Sequence, residues 1–278
     1  MNKRICVTAL IGAAAALALP GMALAVDGQV LITQARAMAG GVTAGDTAGF
    51  PVTISEPGSY KLGSDLVVPD GNTTAILITT SHVTIDLNGF AILGPADCSG
   101  GFPCSGAGNG SGSGIATGPS VTPQFNITIR NGTIQGMGGV GVGLEGDSHL
   151  VEQLHVRSNG DNGIDIGASA DAGLSIVQNN MVQRNGRNGI RIGGGTVRHN
   201  VVTTNASNGI ATFGTASLLY NTVTRNGESG LNMANPFAPA PSKTGYVGNI
   251  LSDNVQGSIA FGDAHNLGQN LCNGVLCP

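Results

Sequence analysis

The chain has 278 residues and a formal net charge of −4, and charged residues make up only 10% of it. An acidic chain with so few basic residues lacks the cationic surface that nucleic acids require, which argues against a nucleic-acid partner. Its 46 glycines show no three-residue period and alternate with aliphatic residues, which argues against collagen and against simple disorder. The composition predicts many short strands joined by tight turns.

Residues 1–25 are predicted to be a secretory signal peptide. Lys3 and Arg4 precede an apolar run over residues 5–19, and small residues at 23–25 offer a cleavage site before Val26. The alternative is an uncleaved anchor, but the run is shorter than the roughly 20 residues of a membrane span. Cleavage removes two basic residues and no acidic ones, so the formal charge of the mature chain is −6. We therefore expect a secreted or periplasmic protein with no membrane span in its mature chain.

Residues 26–278 are predicted to form one domain that begins with a cap over residues 26–50. Within the cap, residues 30–38 are expected to form a short amphipathic helix that covers the first coil of a repeat structure. Strands begin after residue 50, and residues 74–93 form the first clear coil. Residues 94–122 are expected to be a long loop rich in glycine, serine and proline, and further coils follow from about residue 121 to residue 260.

An internal repeat determines the predicted fold. Its copies are Val177–Gly186, Val197–Ala206, Leu218–Gly227 and Tyr246–Val255, and they align on Asn180, Asn200, Asn221 and Asn249. Residues 151–166 fit the same frame, with Leu154 in the asparagine position. The asparagines are separated by 20, 21 and 28 residues. The shorter steps match one coil of three short strands, and the longer step indicates a loop insertion.

The alternation of side chains explains why such coils stack. Val177 and Val182 flank the asparagine and are predicted to point inward, as are Ile190 and Ile192 on either side of Arg191. Asparagine suits sharp corners, and stacked asparagines can bond along the column. Parallel crossovers favour right-handed winding. A leucine-rich repeat would need a leucine-dense motif, and a calcium-binding β-roll would need repeated aspartates; neither is present. We predict an all-β, single-stranded, right-handed parallel β-helix.

Four cysteines remain after signal cleavage. Their spacing suggests the disulfides Cys98–Cys104 in the long loop and Cys272–Cys277 in a pinned tail over residues 261–278. Sequence alone allows three connectivities. Metal binding is the alternative, although no histidine accompanies either pair at ligand spacing.

The repeats resemble a known superfamily. The tract Val83–Gly89 and the series of Asn-x-Val/Ile-x-x-Asn segments followed by Asn-Gly-Ile are similar to the parallel β-helix repeats of pectin-lyase-like and CASH-type proteins, over about residues 50–260. The resemblance implies the fold but not one activity, because the superfamily includes lyases, hydrolases, epimerases, adhesins and accessory proteins. The paired aspartates and Gly-His-Gly of polygalacturonases are absent, as are the Asp-Pro-His-Asp of alginate epimerases and any tryptophan of pectate-lyase signatures.

The coil alignment brings together four candidate catalytic residues. Asp161 falls beside Arg187 of the next coil, and Asp165 falls beside Arg191, with all four facing outward. One interpretation is two surface ion pairs of little energetic weight. The other is a lyase-like site in which the acids hold a cation against a uronate and an arginine removes a proton, which needs a strongly lowered arginine pKa.

Tyr220 is the candidate substrate-binding residue, because it faces outward beside the His199 column and can stack on a sugar ring. His155 and His199 lack partners at ligand spacing, so we expect solvated surface roles and no metal site. The sequence thus predicts a protein that binds extended polysaccharide without catalysis and without a cofactor. The alternative is a lyase or hydrolase acting on uronate-containing polysaccharide, with calcium as a possible cofactor of the lyase.

Overall fold

A computed structural model describes residues 28–96, 110–118, 123–167, 174–233, 244–260 and 264–278. The elements in chain order are β1 (Gln29–Ile32), α1 (Gln34–Ala39), β2 (Val52–Ile54), β3 (Gly58–Leu62), β4 (Leu66–Val67), β5 (Ile76–Ile78), β6 (Val83–Asp86), β7 (Ala91–Leu93), β8 (Ile115–Thr117), β9 (Gln124–Phe125), β10 (Ile127–Gln135), β11 (Val142–Asp147), β12 (Leu150–Arg157), β13 (Ile164–Gly167), β14 (Ile176–Gln178), β15 (Met181–Gln183), β16 (Ile190–Ile192), β17 (Gly195–Arg198), β18 (Val201–Thr203), β19 (Ile210–Thr212), β20 (Ala216–Leu219), β21 (Thr222–Thr224), β22 (Leu231–Asn232), β23 (Gly245–Val247), β24 (Ile250–Ser252), β25 (Ile259–Ala260), β26 (His265–Asn266), β27 (Leu271–Cys272) and β28 (Val275–Leu276).

The strands wind into coils with three parallel faces. Face 1 runs through β14, β17, β20 and β23, and face 2 runs through β15, β18, β21 and β24. Face 3 follows the order β2, β5, β8, β11, β13, β16, β19, β22 and β25. The long strands β10 and β12 each bend from face 1 into face 2. The predicted right-handed parallel β-helix is thereby confirmed.

Aliphatic columns fill the interior between the faces. On face 3, Ile164 pairs with Ile190 and Ile190 pairs with Ile210, and all three side chains are fully buried. Val177 and Val182 are also fully buried, as the alternation of the repeat predicts. Each such side chain contributes about 1.5–3 kcal/mol when it leaves water. Because one coil supplies only a thin layer, this burial is achieved by stacking neighbouring coils.

Buried asparagine ladders form two corners of the solenoid. The ladder between faces 1 and 2 runs through Asn180, Asn200, Asn221 and Asn249, and each Nδ2 donates to the next Oδ1 at 3.0 Å. Leu154 precedes it, and its backbone N–H donates to Asn180 Oδ1 at 3.0 Å. A second ladder turns face 2 toward face 3; its members are Asn159, Asn185, Asn205, Asn226 and Asn254. The stacked asparagines predicted from the repeat are confirmed.

Two boundaries differ from the sequence prediction. Residues 30–32 lie in β1, which pairs with β3, so the helix is shorter than predicted and occupies Gln34–Ala39. Val30 and Ile32 are β-branched, and residues 30–32 gain a parallel partner in β3. Thr33 then caps the helix by accepting from the Arg36 N–H. The predicted loop over residues 94–122 contains β8, which pairs with β5 and β11 on face 3.

The remaining predictions concern the two disulfides, the signal peptide and a membrane span. Cys272 and Cys277 form a disulfide, as expected, and β28 pairs antiparallel with β27 beside it. The predicted signal peptide and the Cys98–Cys104 pair lie outside the described residues. Within the described ranges, the structure contains no helix with the length and apolar character needed to cross a membrane.

Candidate functional site

Face 3 and the turn that precedes it together form a groove. In each coil the turn places one polar side chain at its tip and a second polar side chain at the next residue, which stands three residues before the outward position of face 3. The second residue is an asparagine in three successive coils and Ser229 in the fourth. Backbone hydrogen bonds align the tips of successive coils, so that Asp161, Arg187, Ser207 and Glu228 form one column. A cavity of about 530 Å³ lies along these columns. We call it the face 3 groove; its lining is Asp161, Asn162, Asp165, Arg187, Asn188, Arg191, Ser207, Asn208, Ala211, Thr212, Phe213 and Asn232.

The structure brings Asp165 and Arg191 into direct contact on the floor of the groove. Strand pairing places them opposite each other, and Arg191 Nη1 donates to Asp165 Oδ1 at 3.0 Å. Asn162 Nδ2 donates to the other carboxylate oxygen at 2.8 Å. Burial raises the pKa of Asp165 above its usual range, although the Arg191 charge and both hydrogen bonds oppose this effect. The carboxylate is therefore partly desolvated and held in one orientation.

Asp161 and Arg187 form the second predicted pair at the rim. Arg187 Nη1 lies 3.6 Å from Asp161 Oδ1. The Arg187 side chain is 68% exposed, whereas that of Arg191 is 40% exposed. An exposed pair at this distance contributes well under ~1 kcal/mol. All four charged residues predicted from the sequence thus line the same groove, in two pairs of different burial.

A third amide ladder links the rim to the floor. Asn188 Nδ2 donates to Asn162 Oδ1 at 3.0 Å, and Asn208 Nδ2 donates to Asn188 Oδ1 at 3.1 Å. At the next coil the ladder meets a carboxylate, because Asn208 Nδ2 also donates to Glu228 Oε2 at 2.7 Å. Ser207 Oγ donates to the same oxygen at 2.6 Å. Glu228 is absent from the sequence prediction, although it occupies the same column as Asp161 and Arg187.

Phe213 and Ala211 give the groove its apolar part. The Arg191 guanidinium carbon lies 4.2 Å from the centroid of the Phe213 ring, a cation–π contact that fixes both side chains. Ala211 pairs with Arg191 in the neighbouring strand, and its small side chain leaves the floor open beside the ring. Phe213 is absent from the sequence prediction, although it lies two residues after Ala211 and therefore projects from the same face.

Glu145 adds a further carboxylate near Asp165. It pairs in register with Gly167, two residues beyond Asp165 on the same face. A Cβ at Gly167 would overlap the Glu145 carboxylate, so the absence of a side chain there provides the space in which the carboxylate lies. Partial burial and the negative charge of Asp165 raise the pKa of Glu145, and Arg191 lowers it in part. Glu145 is absent from the sequence prediction because the contact depends on a glycine of the next coil.

Tyr220 lies apart from these residues, at the corner between faces 1 and 2. Its ring is stacked on His199 with the centroids 5.6 Å apart and the planes at 8°. A Cβ at Gly248 would overlap the other side of the ring. A second cavity of about 460 Å³ lies beside this corner, where His155 and His199 both form part of the lining. The structure therefore does not bring Tyr220 together with the four charged residues.

The chemistry available in the face 3 groove is that of hydrogen bonding and charge. It offers carboxylate acceptors, amide donors and acceptors, two guanidiniums and one aromatic ring. Among the residues that the structure describes, no group of three or more histidine, cysteine, aspartate or glutamate side chains is positioned to hold a metal ion. Such a polar groove with one apolar element is suited to a hydroxyl-rich ligand.

Comparison with known proteins identifies the type of fold. The sequence matches the family described as right handed beta helix region over residues 68–226 and again over residues 113–270. No curated protein matches the chain significantly. A double mutant of the periplasmic alginate epimerase AlgG is similar in structure, with a TM-score of 0.44 and 12% identity, over 87% of this chain and 83% of that chain.

Two further solved structures are similar to a comparable degree. The A-module of the Azotobacter vinelandii mannuronan C-5 epimerase AlgE4 has a TM-score of 0.42 and 14% identity, over 72% of this chain and 70% of that chain. The Dettilon tailspike protein has a TM-score of 0.43 and 17% identity, over 73% of this chain and 46% of that chain. None of these similarities assigns an activity.

Proposed function

The chain belongs to the right-handed β-helix family, and from that premise we propose that it is an exported protein that binds an extended polysaccharide in the face 3 groove without catalysis. Stacked coils present equivalent positions every ~4.8 Å along a straight axis. A ligand that is itself a linear repeat can contact several coils in the same way. A polysaccharide has this form, and its hydroxyls match the amide and carboxylate groups along the groove.

The observation that carries the proposal is the continuity of the groove across coils. Its floor passes from Asp165 through Arg191 and Ala211 to Asn232, one residue per coil, in strict register. Three intercoil steps extend over roughly 14 Å, which is room for a few sugar rings. The Phe213 ring provides an apolar surface beside the open floor at Ala211, and sugar rings pack their C–H faces on such surfaces.

Filling the floor tests the proposal. Ala211→Leu places a larger side chain at the open position and is expected to abolish binding on a glycan array and in calorimetry. Ala116→Leu is the matched control, because Ala116 occupies the same outward column of face 3 but lies outside the groove. The column accepts leucine, since Leu77 pairs with Ala116. Equal binding by both variants would refute the assignment of the groove.

The state of Arg191 supports binding rather than cleavage. A lyase base must be unprotonated, whereas Arg191 donates to Asp165 and arginine stays protonated in proteins. The pair therefore serves better to fix hydroxyl positions than to remove a proton. We infer that Asp161, Asp165, Arg187 and Arg191 bind the ligand and are not catalytic residues.

A second candidate function is cleavage of a uronate-containing polysaccharide, which the raised pKa of Asp165 favours, because catalytic carboxyls often show such shifts. Ultraviolet absorbance of unsaturated products and release of reducing ends, with and without calcium, test this candidate on pectin and alginate. Activity that is lost in Asp165→Ala and Arg191→Ala would replace the binding proposal.

Export is supported by the Cys272–Cys277 disulfide, since such bonds persist in oxidising compartments. We propose that residues 1–25 are removed and that residues 26–278 form one domain. Expression of the full chain in a bacterial host tests this proposal. We expect periplasmic or secreted material that begins at Val26, and retention of residues 1–25 in a membrane fraction would contradict it.

A further inference from the structure

The positive and negative side chains at the face 3 groove indicate which charge the bound glycan carries. Both guanidiniums that line the groove are already paired with carboxylates, Arg187 with Asp161 and Arg191 with Asp165. Each pair is close to neutral as a unit. Beside these pairs the described residues place two further carboxylates, those of Glu228 and Glu145.

Glu228 is the first of these carboxylates. Its Oε2 accepts hydrogen bonds from the Ser207 hydroxyl and the Asn208 amide, both of which are neutral donors. These bonds hold the carboxylate at the rim without cancelling its charge. It stands one coil beyond Ser207, and both of its donors, Ser207 and Asn208, line the groove, so a ligand in the groove lies within one residue of it.

Glu145 supplies the second carboxylate beside the two ion pairs. Its carboxylate lies over Gly167, on the side of Asp165 away from the turn. Partial burial and then the negative charge of Asp165 raise the pKa of Glu145, and the Arg191 charge opposes this in part. A cation beside Glu145 would favour its ionised form. In the part of the chain that the structure describes, neither Glu145 nor Glu228 forms a salt bridge, so negative charge remains near each of the two ends of the groove.

We propose that the ligand of the face 3 groove is a glycan that carries protonated amino groups, rather than a uronate or a neutral glycan. The inference rests on the proposed function, because it concerns the same groove. Ammonium groups along the chain meet Glu145 and Glu228, while the amide ladder and the two ion pairs contact hydroxyls. A uronate would place its carboxylates against these glutamates and would gain no unpaired arginine among the residues that line the groove.

Three hexasaccharides that differ in charge test the proposal by calorimetry at pH 6: glucosamine hexamer, N-acetylglucosamine hexamer and galacturonate hexamer. We expect the glucosamine hexamer to bind at least about tenfold more tightly than the other two. Its affinity should also fall as salt rises from 50 to 500 mM, because salt screens partly exposed charges.

Neutralising single carboxylates locates the effect. Glu228→Gln and Glu145→Gln should each weaken glucosamine hexamer binding about two- to fivefold, which is the range for a partly exposed ion pair, and the double variant about tenfold. Glu152→Gln is the matched control, because Glu152 lies on face 1, where it accepts from Gln178. It should leave the affinity unchanged.

The outcomes separate this inference from the proposed function. If the acetylated or acidic hexamer binds as tightly as the amino hexamer, and Ala211→Leu still abolishes binding, the amino-glycan inference is wrong and the groove assignment stands. If Glu152→Gln weakens binding as much as the groove variants do, the effect is one of overall charge and the inference is wrong. If no oligosaccharide or polysaccharide binds, both fail.

Discussion

We expect the stability of the solenoid to depend on pH because of the buried His149. The residue is 1% exposed and follows the corner between faces 3 and 1. Its Nδ1 accepts from the Ile127 N–H at 3.3 Å, so the ring proton sits on Nε2, which has no partner among the described residues. Burial lowers its pKa to about 4, although the backbone of Glu145 and the Asp147 carboxylate oppose this effect.

The sign and size of the effect follow from proton linkage. The unfolded chain has the ordinary histidine pKa of about 6.5 and binds more protons than the native state at acid pH. Stability is therefore undiminished above pH 6.5 and falls progressively as the pH drops toward 4. With a folded pKa of about 4, the loss attributable to His149 is about 2 kcal/mol at pH 5 and about 3 kcal/mol at pH 4.

His149→Asn is the variant that isolates this effect, because an asparagine oxygen can accept from Ile127 and does not titrate. Urea unfolding at pH 7.5, 6, 5 and 4.5 should show wild type losing about 2 kcal/mol more than the variant between pH 7.5 and pH 5. His155→Asn is the control, since His155 is exposed, and should behave as wild type does. Parallel pH curves for wild type and His149→Asn would refute the reasoning.

Three further predictions concern the ladders, the groove and the tail. Asn200→Ala should destabilise the protein by about 2–3 kcal/mol in urea unfolding, because the buried Asn180 N–H loses its acceptor, while Asn180 Nδ2 keeps only Val151 O and Asn221 Oδ1 keeps only the backbone N–H of residue 200. A loss below about 1 kcal/mol would contradict the ladder. Arg191→Ala should lower the free energy of unfolding by about 1–2 kcal/mol at pH 7, because the buried Asp165 carboxylate loses the positive charge that lowers its pKa. The loss should be smaller at pH 4.5, where Asp165 of the variant can relieve its desolvation by taking up a proton. An equal loss at both pH values would contradict this prediction. Cys272→Ser should speed amide hydrogen exchange in residues 271–276 and leave slow exchange elsewhere unchanged. The effect stays local because so short a disulfide loop contributes at most about 2 kcal/mol to the stability of the protein. Loss of protection throughout the coils would contradict this prediction.

Much of the fold could be predicted because each coil repeats the same pattern of alternating aliphatic and polar residues with an asparagine at the corner. The flanking residues Val177 and Val182 point inward through strand alternation alone, and the asparagine between them marks the corner. The boundaries of individual strands and of the helix were harder to predict from the sequence. Residues 30–32 have a helix-compatible pattern, yet they form a strand because β3 offers a parallel partner, and β8 is hidden in a glycine-rich tract because its strand has just three residues.

The charged residues of the groove could be predicted for the same reason, because Asp165 and Arg191 occupy the same position of consecutive coils once the coils are aligned. By itself the sequence determined the stacking of coils, the buried columns and the two ion pairs, since each depends on register alone. The contacts of Glu145, Glu228 and Phe213 were decided by tertiary structure. Their positions depend on neighbouring coils: a glycine at 167, a serine at 207 and a guanidinium over a ring. Register states which residues are neighbours, whereas side-chain size and charge in the adjacent coil decide how they meet.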